Sequence, residues 1–163
     1  MSPASARAVA GIEAIAETAG GTRLAGLVIG PNDLAFDLRL RGARVREALL
    51  PLMMRVAAAA RAHGLLMFGG VFNALDDDEG LKAECDEEAS YGFDGKTLIH
   101  PRQIDIANAA FSPSPDELAW ARAVVAAFDA PEAADRGAIR LDGRMVERLH
   151  LEAAKRTLAL AKA

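Results

Sequence analysis

Apolar residues recur along this chain at two spacings. Val9, Ile12, Ile15 or Ala16, and Ala19 fall about one helical face apart, which predicts a helix over 6–19 stopped by Gly20-Gly21. Leu24–Ile29 is instead a short continuous apolar run, as a buried strand is, and it delivers a turn, Gly30-Pro31-Asn32-Asp33, that carries an acid. Val45, Leu49, Met53, Val56 and Ala60 mark a long helix over 44–62 that His63-Gly64 closes. A second buried run, Leu65–Val71, ends in the polar turn Asn73–Asp78. The acids Asp76, Asp77, Asp78 and Glu79 then open a helix through Leu81, Cys85 and Ala89, where they complement the helix dipole as a cap in preference to a metal site.

Gly92 ends that helix. In the segment Gly92–Gln103, Leu98 and Ile99 form a third apolar run, with Lys96 and His100 at its two ends. Pro101 has no N–H to give a neighbouring strand, so His100 is expected at the mouth of the sheet, where α/β proteins keep their chemistry. Residues 102–110 read as a short helix. Ser114, Pro115 and Glu117 form a capping box for the next, with its stripe through Leu118, Ala121, Val125 and Phe128. Residues 129–143 are a Pro/Gly/Asp connection in which 138–141 is briefly extended, and a last helix is expected over about 145–161 through Val146, Leu149, Ala153 and Leu160.

Apolar strands alternating with helices imply a parallel sheet buried on both faces, with right-handed crossovers. Three strands leave two edges of unpaired backbone, whereas a closed barrel of this kind takes eight strands over about 250 residues. Either the α/β sheet over 1–129 is completed by another chain, in an oligomer or with a partner, or it is part of a longer ancestor; a connection and helix follow over 130–163.

Composition narrows the partners. The chain has 163 residues, 52% hydrophobic and 26% charged, which suits one globular core rather than a disordered chain. A net charge of −4, without basic runs interleaved with aromatics, argues against nucleic acid and for a small-molecule substrate. No apolar stretch approaches the ~20 residues of a bilayer span, and Arg7, Glu13 and Glu17 interrupt any leader-like core, so no membrane partner and a cytoplasmic address are expected. Cys85 is alone and reads as a packing residue. A Ser/His/Asp hydrolase has no Gly-x-Ser-x-Gly elbow here, and Gly95-Lys96-Thr97 lacks the earlier glycine of a phosphate loop, the position being Ser90.

The segments Leu24-Ala-Gly-Leu-Val-Ile-Gly-Pro-Asn-Asp-Leu34, Gly70-Val-Phe72, Gly92-Phe-Asp-Gly-Lys-Thr-Leu-Ile-His-Pro101 and Phe111-Ser-Pro-Ser114, with a weaker Asp142-Gly-Arg-Met-Val-Glu147, resemble the citrate lyase beta-subunit and malyl-coenzyme A lyase family of HpcH/HpaI aldolases. The resemblance covers that family's second half, the C-terminal portion of a (β/α)8 barrel. It implies that Asp33 binds a divalent metal, usually magnesium, and that the amides around Asn32 and Asp33 hold the carboxylate of a 2-oxo acid. It sets Ile99, His100 and Pro101 near the adenine of coenzyme A, although His100 could equally be a strand cap. Lys96 could reach a phosphate or pair with Asp94 or Glu88. Glu147 falls on an acid/base aspartate delivered to a neighbouring subunit's site, and on its own merits reads as a surface acid in a helix's first turn. The family's second metal-binding acid, a glutamate before Arg-Ala-Val, corresponds to Ala4.

By that resemblance the expected function is metal-dependent carbon–carbon cleavage of a 2-hydroxy acid or its coenzyme A thioester, of citryl or malyl type. The alternatives are a catalytically silent homologue that associates with itself or a partner half-barrel, and a coenzyme A-binding module without chemistry.

Overall fold

Three short strands, β1 (Gly26–Val28), β2 (Leu66–Gly69) and β3 (Gly95–Lys96), form a parallel sheet in that order, with Leu27 opposite Met67 and Phe68 opposite Gly95. They belong to a computed structural model that describes residues 3–133 and 136–161, the Glu132 side chain excepted. Contacts divide the chain between Phe111 and Ser112 into two compact units.

In the first unit the helices are α1 (Ala6–Ala10), α2 (Ile12–Glu17), α3 (Pro31–Asp37), α4 (Val45–Ala62), α5 (Asp78–Ser90) and α6 (Ile104–Phe111). Leu27 and Met67 are fully buried on one face of the sheet, in a core with Val9, Ile12, Leu34, Met53 and Val56. At roughly 1.5–3 kcal/mol per fully buried large aliphatic, that layer is the main source of this unit's stability. The opposite face carries Val28, Leu66 and Phe68, none fully buried, and Leu66 is 45% exposed. Among the described residues, then, helices of this unit cover one face of the sheet rather than both, as on the outside of a barrel. Phe68 fills part of the open face because its neighbours are glycines: a Cβ on Gly26 or Gly95 would lie 3.2 Å from its ring.

Four local expectations are corrected. The helix over 6–19 breaks at Gly11 (φ −106°), which separates α1 from α2. The turn Gly30–Asp33 is the start of a helix, since Pro31 tolerates the first helical position and opens α3. The third strand is Gly95–Lys96, not Leu98–Ile99: Thr97 N–H still donates to Gly69 O at 3.0 Å, but Ile99 is already 51% exposed beyond the sheet. Its polar residue Lys96 thus belongs to the strand itself.

The second unit contains α7 (Pro115–Asp129), the antiparallel strands β4 (Ala138–Leu141) and β5 (Arg144–Glu147), and α8 (Arg148–Leu160). The fourth correction lies here, because 145–147 is strand rather than helix. Asp142 and Gly143 both take positive φ (48° and 80°), the conformation a two-residue hairpin turn requires. The capping box at Ser114 and Glu117 forms as expected. Ala121, Val124, Phe128, Val146, Leu151 and Ala154 make this unit's core.

Candidate functional site: the C-terminal rim of the sheet

Each strand of a parallel sheet hands its polar residues to the same rim, and here three such exits are braced together. Ile29 is buried and fixes the end of β1 through its N–H to Phe68 O (3.1 Å), which leaves Asn32 and Asp33 exposed in the first turn of α3. Close packing holds that turn against the end of β2, since a Cβ on Gly70 would fall 2.0 Å from Pro31 Cδ. Asn32 and Asn73 exchange side-chain hydrogen bonds of 3.2 and 3.0 Å, tying the exit of β1 to that of β2.

A second brace joins β2 to β3. Gln103 is buried; its Nε2 donates to Phe72 O at 3.1 Å while its Oε1 accepts from Ile99 N–H at 3.1 Å. Arg102 adds a third link by pairing with Asp76 (3.1 Å) and Asp78 (3.0 Å). Asn73, Gln103 and Arg102 had no assigned role in the sequence because such pairings span 24–41 residues, a separation that periodicity does not report. A cavity of about 340 Å³ runs under this rim from Asn32 and Asn73 to Arg46 and Glu84.

Ile99, His100 and Pro101 are all exposed at the exit of β3. His100 takes its capping role: its Nδ1 accepts from Arg102 N–H at 3.2 Å, and in that tautomer the proton is on Nε2. The acids before α5 also act as caps and pairs, with Asp77 Oδ1 accepting from Gly80 N–H at 2.8 Å.

Lys96 does not reach the rim. Its side chain is 0% exposed, on the helix side of the sheet, with Nζ 2.5 Å from Glu84 and 3.1 Å from Glu88. Arg46 of α4 meets the same group, 3.0 Å from Glu84 and 2.5 Å from Glu87, so two cations and three carboxylates lock α4, α5 and β3 together. Burial pushes the Glu88 carboxyl above its ordinary value, and Lys96 draws it back. Asp94 is not Lys96's partner; it pairs with Arg61 (2.8 Å) and accepts from Met67 N–H (2.7 Å). Cys85, buried nearby, has its thiol pushed up to about 11, chiefly by desolvation.

Glu147 lies in the second unit at the N-cap of α8, where its carboxylate accepts from the His150 backbone and its own N–H donates to His150 Nδ1 at 2.9 Å. It is thus a capping acid just before the helix, at the end of β5.

The rim does not supply a magnesium site. Hard cations want several oxygen ligands, yet Asp33 brings a single exposed carboxylate and no group of three His, Cys, Asp or Glu suitable for a metal occurs among the described residues. Ala4 lies near it across Gly30: a Cβ placed on Gly30 would lie 3.0 Å from Ala4 Cβ and 3.4 Å from Asp33 Oδ2.

No helix of the described residues is long and apolar enough to cross a membrane. The family pattern HpcH/HpaI aldolase/citrate lyase matches residues 4–101. A (3S)-malyl-CoA thioesterase of Cereibacter sphaeroides is 49% identical over 91% of this chain and 52% of its own length, and a citrate lyase subunit beta of Leuconostoc mesenteroides is 34% identical over 86% and 47%. The chain thus spans about half the length of the curated relatives it matches. A crystal structure of the protein CitE from Mycobacterium tuberculosis, in complex with magnesium, acetoacetate and coenzyme A, superposes with a TM-score of 0.81 at 32% identity, over 98% of this chain and 59% of that one. The open sheet is accordingly part of a citrate lyase beta-subunit type barrel, and the chain belongs to the HpcH/HpaI aldolase/citrate lyase family.

Proposed function

We propose that this chain acts on a malyl-type coenzyme A thioester and releases coenzyme A by hydrolysis, with Asp33 as general base. The observation that supports this reading is that Asp33 stands exposed at the strand-end rim with Ala4, rather than an acid, near it across Gly30. A lone carboxylate can take a proton from water as its oxygen attacks the thioester carbonyl; the carbon–sulfur bond then breaks, and the departing thiolate takes up a proton. Carbon–carbon cleavage would call instead on a Lewis acid to draw off charge, toward which Asp33 brings one carboxylate. The 49% identity to a protein named as a thioesterase supports the same reaction.

In this reading Asn32 holds the acid end of the substrate, and Ile99, His100 and Pro101 flank its coenzyme A end. Closure of the two open sheet edges by further parallel strands, from a second copy or a partner, would complete the site, and Glu147 would enter a neighbouring copy's site as an acid. Product analysis with malyl-CoA tests the reaction: malate and free coenzyme A are expected. Glyoxylate and acetyl-CoA would establish the lyase reading in its place, and no turnover at all would leave the silent homologue or the coenzyme A-binding module, which a measurement of coenzyme A affinity separates.

A further inference from the structure

We infer that residue 4 decides whether this chain can hold a divalent cation, and that with alanine there it holds none through Asp33. This rests on Asp33 being the working acid of the rim, but its test needs no turnover. Ser5 caps α1, its side chain accepting from Ala8 N–H at 3.2 Å, which orients the backbone that enters that helix. Directly before the cap, Ala4 packs on Gly30: its Cβ lies 3.0 Å, and Asp33 Oδ2 3.4 Å, from the one point where a Gly30 Cβ would stand. The absence of a side chain at position 30 is what lets residues 4 and 33 approach each other. Ala4 Cβ and Asp33 Oδ2 thus both lie within 3.4 Å of that one point, and a glutamate carries its carboxylate oxygens about three bonds beyond Cβ, so Ala4→Glu would bring two carboxylates to one cation. Asn32, one residue away, offers only an amide oxygen already accepting from Asn73. Changing one residue therefore converts a lone carboxylate into a pair, while the strands and braces of the rim stay as they are.

The experiment is direct titration of the full chain with Mn²⁺, followed by the loss of free-ion paramagnetic resonance signal, and of Mg²⁺ by calorimetry. The unsubstituted chain should show no saturable site that depends on Asp33 below millimolar concentration. Ala4→Glu should bind Mn²⁺ at least tenfold more tightly, and Ala4→Glu combined with Asp33→Ala should lose the gain. Ala4→Gln, of the same size without the charge, should leave binding unchanged, with circular dichroism and melting curves reporting whether each variant folds. Submillimolar binding by the unsubstituted chain that Asp33→Ala abolishes would overturn the inference. So would a folded Ala4→Glu chain that gains nothing. If Ala4→Glu fails to fold while Ala4→Gln folds, like charges meet with no cation between them, and refolding upon adding Mn²⁺ is then the expected result; no recovery overturns the inference.

Discussion

Lys96 Nζ lies 3.1 Å from Glu88 Oε2, and the two side chains are 0% and 1% exposed. An ion pair taken this far from water is costly to assemble, and removing one partner strands the other. Lys96→Met should therefore destabilise the chain by about 3–5 kcal/mol, with Glu84 and Glu88 both left facing each other. Urea denaturation measures it. Adding Glu88→Gln to Lys96→Met should recover part of the loss, because one buried charge fewer is then uncompensated.

The same carboxylate sets a pH dependence. Burial raises the folded-state pKa of Glu88 above its ordinary 4.5, so between that value and the raised one the folded chain binds more protons than the unfolded chain. Its contribution is thus fully present below 4.5 and is lost as pH rises through the folded-state value. Unfolding free energies measured from pH 4 to 8 should fall in the unsubstituted chain relative to Glu88→Gln as pH rises. Parallel profiles would show that Glu88 is not the titrating group.

Gly69 exists to make room for Glu88. A Cβ there would lie 1.9 Å from Glu88 Oε2, whereas one on Gly21 would meet nothing within 4 Å. Gly69→Ala should cost about 1–3 kcal/mol or more by overpacking. Gly21→Ala should stay within about 0.5 kcal/mol, as exposed substitutions do. Thermal melts of the two variants make the comparison.

Cys85 should be inert in the folded chain. With its thiol pushed to about 11 and its side chain buried, it is protonated at pH 8 and out of reach of a disulfide reagent. Reaction with dithionitrobenzoate should appear only as denaturant unfolds the chain, and its midpoint should track the unfolding curve.

Much of this was legible in the sequence because the signals are local. The apolar runs at 24–29 and 65–71 gave two strands, the spacing in 44–62 gave α4, and Ser114-Pro115 with Glu117 gave the cap of α7. Leu98 and Ile99 misled because a two-residue strand needs little apolar content of its own: β3 is held by its pairing with β2 and by the buried Lys96. The helix at Pro31 was hidden by chemistry that turns and helix starts share. The place of Asp33 at the end of β1 was legible too, because an apolar run leading into Gly30-Pro31-Asn32-Asp33 sets it there. The braces through Asn73 and Gln103 were not, since a side chain's partner 31 or 41 residues away leaves no trace in local pattern.

The most direct measurement is the kcat/KM of Asp33→Asn for malyl-CoA hydrolysis, followed by release of free coenzyme A. Loss of a general base should lower it at least about 100-fold while leaving the melting temperature unchanged. A value within twofold of the unsubstituted chain would remove Asp33 from the chemistry and contradict the account of the rim.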